Sequence, residues 1–96
     1  MEIQVLDLRL QNNGKPLRAF VDIGFHGLEI RDFRVIQQPD HRAYVTSPEL
    51  SWRGPGGRVQ YKTLIGMSDA LKWKIEAIIL AEFQKTEAEH GRNNIG

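Results

Sequence analysis

The chain has 96 residues, 41% of them hydrophobic and 26% charged, a composition of one small globular domain rather than a disordered segment. It contains no cysteine, which excludes disulfides and thiolate metal ligands. Thirteen Lys and Arg against twelve Asp and Glu leave a formal charge of +1, so any nucleic-acid contact has to come from local clustering of cations.

A chain of this length buries only about 60–65% of the surface its unfolded form exposes, so cover supplied by a partner would stabilise it considerably. No run approaches the roughly 20 apolar residues of a membrane span, and the N-terminal residues lack the basic-then-apolar order of a signal peptide. The expectation is a cytoplasmic protein, of one domain over 1–96, with no membrane partner.

Apolar residues at Ile3, Val5, Leu6, Leu8 and Leu10 predict a first strand. Its alternation slips between Val5 and Leu6, where either a bulge shifts the pleat or both faces are partly covered. Asn12, Asn13 and Gly14 then supply a hairpin turn. The second strand, Leu17 to Phe25, alternates cleanly, with Leu17, Ala19, Val21, Ile23 and Phe25 on one face and Arg18, Phe20, Asp22 and Gly24 on the other. His26 and Gly27 turn the chain into a third strand, Leu28 to Ile36, whose phase slips near Asp32. Pro39 and Asp40 end it, and a short strand follows at 43–47.

Residues 48–57 read as an irregular loop punctuated by Pro48, Gly54, Pro55, Gly56 and Gly57. A last strand, Arg58 to Ile65, places Val59, Tyr61, Thr63 and Ile65 on a half-buried face, with Tyr61 expected in the core. Arg58, Gln60, Lys62 and Leu64 take its other face. Ser68 is a good helix N-cap with Asp69 behind it, and the helix should run to about Glu87. Leu71, Ile75, Ile78, Ile79 and Phe83 form its core stripe. Trp73 and Leu80 fall on roughly the opposite side, so something should cover its back. A frayed tail is expected from 89 to 96. The pattern as a whole predicts an α+β fold, an antiparallel sheet of four to five strands packed with one long C-terminal helix.

Catalytic and metal-binding motifs are thin. His26, His41 and His90 have no ligand spacing, and the glycines at 54, 56 and 57 lack the Gly-Lys-Ser/Thr and following helix of a phosphate loop. Asp7, Asp22 and Asp32 read as separate polar positions on an outer sheet face. Arg9 and Arg18 either face each other across the Asn-Gly hairpin or point to solvent. Arg31 or Arg34 is expected to pair with Asp32 or Asp22 and set strand register. No cofactor, metal or catalytic residue is expected, and the chain is read as a non-enzyme.

Six segments together resemble the stage V sporulation protein G (SpoVG) septation-regulator family. Lys15-Pro16-Leu17-Arg18-Ala19-Phe20-Val21 is similar to that family's second strand, and Ile30-Arg31-Asp32-Phe33-Arg34-Val35-Ile36 to its most recognisable signature. Tyr44-Val45 through Pro48, then Tyr61, then Ile75 to Phe83 continue the likeness in order. Where the family places basic residues after the fourth strand, this chain has Glu49 and Leu50, with Arg53 the first nearby cation. The resemblance implies a homodimeric cytoplasmic regulator that binds DNA, and in some members RNA, and that affects septation, sporulation or related gene expression without catalysis.

Joined to the residue patterns, the resemblance makes Arg53, Arg58, Lys62, Lys72 and Lys74 the candidate phosphate contacts. Trp73, Leu80, Leu50 and Trp52 are the candidate dimer contacts. The competing expectation is a protein-interaction module, the same dimer offering its surface to another regulatory protein with no nucleic-acid contact.

Overall fold

The computed structural model describes residues 2–93, with side chains through Glu89. Four strands, β1 (Ile3–Leu10), β2 (Leu17–Phe25), β3 (Leu28–Ile36) and β4 (Tyr44–Thr46), form one antiparallel sheet in chain order. Two more, β5 (Glu49–Arg53) and β6 (Val59–Thr63), pair only with each other, and α1 (Asp69–Asn93) follows. The architecture is the α+β arrangement the sequence predicts, except that its strands divide into two sheets.

Each turn has a local cause. Gly14 takes φ 70°, and Asn13 Oδ1 accepts the Lys15 N–H at 3.0 Å, an Asx turn that closes the first hairpin. His26 and Gly27 both adopt positive φ, 50° and 78°, as a two-residue hairpin turn of the type matching strand twist requires. The His26 ring meets the Phe25 ring edge-on, with centroids 4.4 Å apart.

Both slips of phase are bulges. In β1, Val5 and Asp7 face the consecutive residues Ile23 and Asp22, leaving Leu6 extra. Leu6 lies against bare Gly24, where a Cβ would come within 3.3 Å of it. In β3, Phe33 and Ile30 face Val21 and Ile23, so Arg31 and Asp32 together oppose Asp22, and Asp32 takes φ 67°. A third irregularity sets Arg18 out of register between Leu17 and Ala19.

The core is the inner face of this sheet against one helical stripe. Ala19, Val21 and Ile23 of β2 and Phe33 and Val35 of β3 are buried against Ile75, Ile79 and Phe83 of α1. Positions 75, 79 and 83 recur every four residues and so lie on one helix face. Ser68 caps the helix, its Oγ accepting the Leu71 N–H at 3.2 Å. The helix extends past the expected end near Glu87 to Asn93, because Ala, Glu, Lys and Gln, which dominate 81–89, are good helix formers. The part of the expected frayed tail at 94–96 lies outside the described residues. No helix among the described residues is long and apolar enough to cross a membrane.

The segment read as a loop is a strand. Glu49–Arg53 pairs residue for residue with β6, Leu50 opposite Lys62 and Trp52 opposite Gln60. The β5–β6 ribbon is joined to the body near buried Pro48, whose carbonyl accepts the Leu64 N–H at 3.2 Å. Beyond that point it makes no substantial contact with the four-stranded sheet or the helix, and all ten of its strand residues are exposed. Tyr61, expected in the core, is 63% exposed, because β6 has only β5 beside it and nothing over either face. The radius of gyration, 14.9 Å, exceeds the roughly 12.5 Å of a compact chain of this length, consistent with a projecting arm and a long helix.

Candidate nucleic-acid interface

The arm's register sorts its side chains. Cross-strand partners share a face, so Leu50, Lys62, Trp52 and Gln60 lie on one side, and Glu49, Thr63, Ser51, Tyr61, Arg53 and Val59 on the other. Leu50 and Trp52, expected at a dimer contact, therefore share a face with Lys62, expected at phosphate. Arg53 and Arg58 meet at the tip. Arg53 closes the pairing opposite Val59, and Gly54 donates its N–H to the Arg58 carbonyl at 2.9 Å. Between them Pro55–Gly57 makes one 3-10 turn, with Gly57 donating to the Gly54 carbonyl at 3.1 Å. Gly56 and Gly57 both take φ near 80°, a conformation that a side chain would strain.

The arm also gathers unpaired positive charge. Residues 48–68 hold three cations and one carboxylate, a net +2, which leaves the rest of the chain at −1. Among the described residues, Arg53, Arg58 and Lys62 form no ion pair. In the body, Arg9, Arg18 and Arg31 are paired with carboxylates instead. Arg18, turned by its irregular register, reaches Glu87 of the helix at 2.7 Å rather than Arg9 or solvent.

Arg9 gathers the three aspartates that the sequence reading left apart. Its guanidinium donates to both carboxylate oxygens of Asp22, at 2.9 and 3.1 Å, to Asp7 at 2.6 Å and to Asp32 at 3.1 Å. Asp22 also accepts the Asp32 N–H at 3.0 Å, so one buried carboxylate closes the β3 bulge and joins three strands. The hydrogen bonds from Arg9 hold the Asp22 carboxyl below its ordinary pKa against the opposing cost of burial. The same bonds, to Asp22 first and then Asp7, raise the Arg9 guanidinium. Neither Arg31 nor Arg34 makes the expected aspartate pair. Arg31 binds Glu29 two residues away on its own strand, at 3.0 Å. Arg34 lies over the Phe20 ring, 5.8 Å from its centroid. The bulge defeats the expectation, since it moves Arg31 and Asp32 out of simple alternation and leaves Asp22 to Arg9.

The remaining candidates stand apart from the arm tip. Lys72 and Lys74 are exposed on the first turns of α1, which five residues separate from β6, and neither pairs with a carboxylate among the described residues. Trp73, between them, is 67% exposed. Leu80 is different: it is half-buried and packs against the core of its own chain, so the back of the helix is less apolar than the sequence pattern predicts. Sequence reasoning missed Val59 and Leu64, each more than half exposed on or beside the arm. The period-two spacing of Leu50 and Trp52, followed by Gly-Pro-Gly-Gly and then by Val59 and Tyr61, was the hairpin signal that could have found the arm.

A concavity of about 690 Å³ lies between the second half of α1 and the β3–β4 connection and is lined by Asp40, His41, Arg42, Leu80 and Glu87 among others. Glu87 is already occupied by Arg18. Among the described residues no three His, Asp or Glu side chains are grouped so as to hold a metal ion. Compared with protein families, curated proteins and solved structures, the chain matches none.

Proposed function

We propose that the protein is a cytoplasmic, homodimeric, nucleic-acid-binding regulator of the kind its resemblance to the SpoVG septation-regulator family implies, acting through basic side chains and not through catalysis. The observation that carries this reading is the β5–β6 arm. It is a projecting ribbon whose three cations have no carboxylate partner among the described residues, while the aspartates of the body hold Arg9 and the helix holds Arg18. Unneutralised Arg and Lys on an accessible ribbon attract phosphate, and each phosphate neutralised releases counterions. Trp52 and Tyr61, one on each face, offer rings on which bases can stack.

Dimerisation accounts for the rest of the exposed surface. A two-stranded ribbon on its own is marginally stable at best, and this one exposes Leu50, Trp52, Val59 and Tyr61. A second copy covering the base of the arm, around Leu50 and Leu64, and Trp73 of the helix would bury that area and leave the tip free. It would also double the cationic surface, since each copy contributes an arm.

The test is a binding titration with DNA and RNA at two salt concentrations, comparing wild type with Arg53→Ala/Arg58→Ala. Wild-type affinity should fall steeply with salt, and the variant's log–log salt slope should be shallower by about one for each phosphate contact removed. No binding of wild type to either polymer in dilute salt would refute the reading. An unchanged slope in the variant would remove these two arginines from the phosphate contacts.

A further inference from the structure

Resting on the nucleic-acid reading above, we infer that the arm engages duplex DNA tip-first through the minor groove, with Pro55 as an apolar wedge and Arg53 and Arg58 on the phosphates at either side. From Gly54 to Gly57 the only side chain is that of Pro55, which is exposed, so the end of the ribbon presents one apolar ring on an otherwise bare backbone. The undeformed minor groove, about 6 Å wide, is narrower than two paired backbones with their van der Waals radii, so the ribbon stays at its mouth and Pro55 is the group small enough to enter.

The tip is also shaped in advance. The Gly54–Arg58 and Gly57–Gly54 hydrogen bonds close it, and the positive φ of Gly56 and Gly57 fixes its curvature. Pro55 is exposed at its end and adds no further rotamer freedom to be lost on binding. Rigid apolar side chains inserted between base steps from the minor groove unstack them and kink the duplex toward the major groove. Arg53 and Arg58 stand immediately on either side of the four-residue tip. A wedge entering the groove would therefore carry both guanidiniums toward the backbones that border it.

The outer face of the four-stranded sheet is a poorer fit for a polyanion. On the outer side of the four-stranded sheet, Asp7, Asp22 and Asp32 converge on Arg9, so carboxylates outnumber the cation they surround. The arm also offers few groups that read base identity. Gln60 is the only amide side chain on it, and it lies against Gly54, where an added Cβ would meet its Nε2 at 2.8 Å. Binding through the arm is thus expected to follow duplex shape and deformability more than sequence.

The experiment uses the full chain with a 30-base-pair duplex carrying a donor and an acceptor dye at its ends, and the matching single strand as competitor. Wild type should shorten the end-to-end distance on binding and should prefer the duplex by at least tenfold. Pro55→Ala should bind the duplex within about threefold of wild type but lose most of the shortening, while Arg53→Ala/Arg58→Ala should lose affinity at least tenfold. Binding without shortening, shortening that survives Pro55→Ala, or a preference for the single strand would overturn the wedge and leave nucleic-acid binding standing. No binding to either would overturn both. The molar mass of each variant is measured in parallel. If the tip substitutions split a dimer and leave DNA affinity unchanged, the tip meets a second copy of the chain and the inference is wrong.

Discussion

Replacing Phe83 with alanine is expected to lower the free energy of unfolding by about 3–5 kcal/mol, the cost of removing a buried aromatic ring and leaving a cavity. Phe83 is 2% exposed and is the last buried residue of the stripe that joins α1 to the sheet. Domains of this size are stable by only about 5–15 kcal/mol, so the variant should sit near the limit of folding. Denaturant unfolding followed by far-ultraviolet circular dichroism measures it. The contrast is Trp73→Ala on the same helix. That ring is larger than Phe83 but mostly exposed within one chain, so in dilute solution the change should stay within about 0.5 kcal/mol. Equal losses in the two variants would mean that the helix buries a different face.

Asp22→Ala should be the most damaging polar change. The carboxylate takes two hydrogen bonds from Arg9 and one from the Asp32 backbone, and Asp22 is the one buried polar or charged residue among those described. Alanine would leave the Asp32 N–H without its acceptor inside a bulge at positive φ, a loss of roughly 2 kcal/mol. The pH dependence has a definite sign. The folded pKa of Asp22 lies below its unfolded value, so its contribution is fully present above the unfolded value, about 3.9, and is lost as pH falls through the folded one. Wild-type stability should therefore drop as the pH is lowered below about 4, with a smaller drop in Asp22→Asn. Unfolding midpoints between pH 2 and pH 6 check this, and identical profiles for the two proteins would deny Asp22 its role.

Most of the body was legible because its signals are local. Alternation in β2 marks Ala19, Val21 and Ile23 as inward, the four-residue spacing of Ile75, Ile79 and Phe83 marks the helix stripe, and Asn13-Gly14 and His26-Gly27 mark the turns. Even the slips near Leu6 and Asp32 showed as breaks of phase, and both are bulges. What was not legible depends on three-dimensional placement. Nothing in the order of residues says that Arg9 would collect three aspartates, the farthest of them 23 positions away, or that Arg18 would reach Glu87 on the helix. The breaks near Leu6 and Asp32 could be read, but not which side chains they bring together, and the irregularity at Arg18 left no break of phase.

The arm shows the same limit from the other side. Val59 and Tyr61 alternate as a half-buried strand should, yet they are exposed, because period-two patterning reports that a face is meant to be covered without naming the chain that covers it. The same reasoning applies to Trp73. Of the candidate phosphate contacts, the fold brings Arg53 and Arg58 together at one tip, sets Lys62 lower on the same ribbon, and leaves Lys72 and Lys74 on a separate element.

The proposed function requires the arm to be the part that touches nucleic acid. Trp73→Phe leaves Trp52 as the sole indole, seated on the arm one residue from its tip arginine, so its fluorescence reports on that place alone. Titrating this protein with duplex DNA in dilute buffer should give a saturable change in Trp52 emission that added salt reverses. DNA binding detected by mobility while the Trp52 emission stays constant throughout would contradict it.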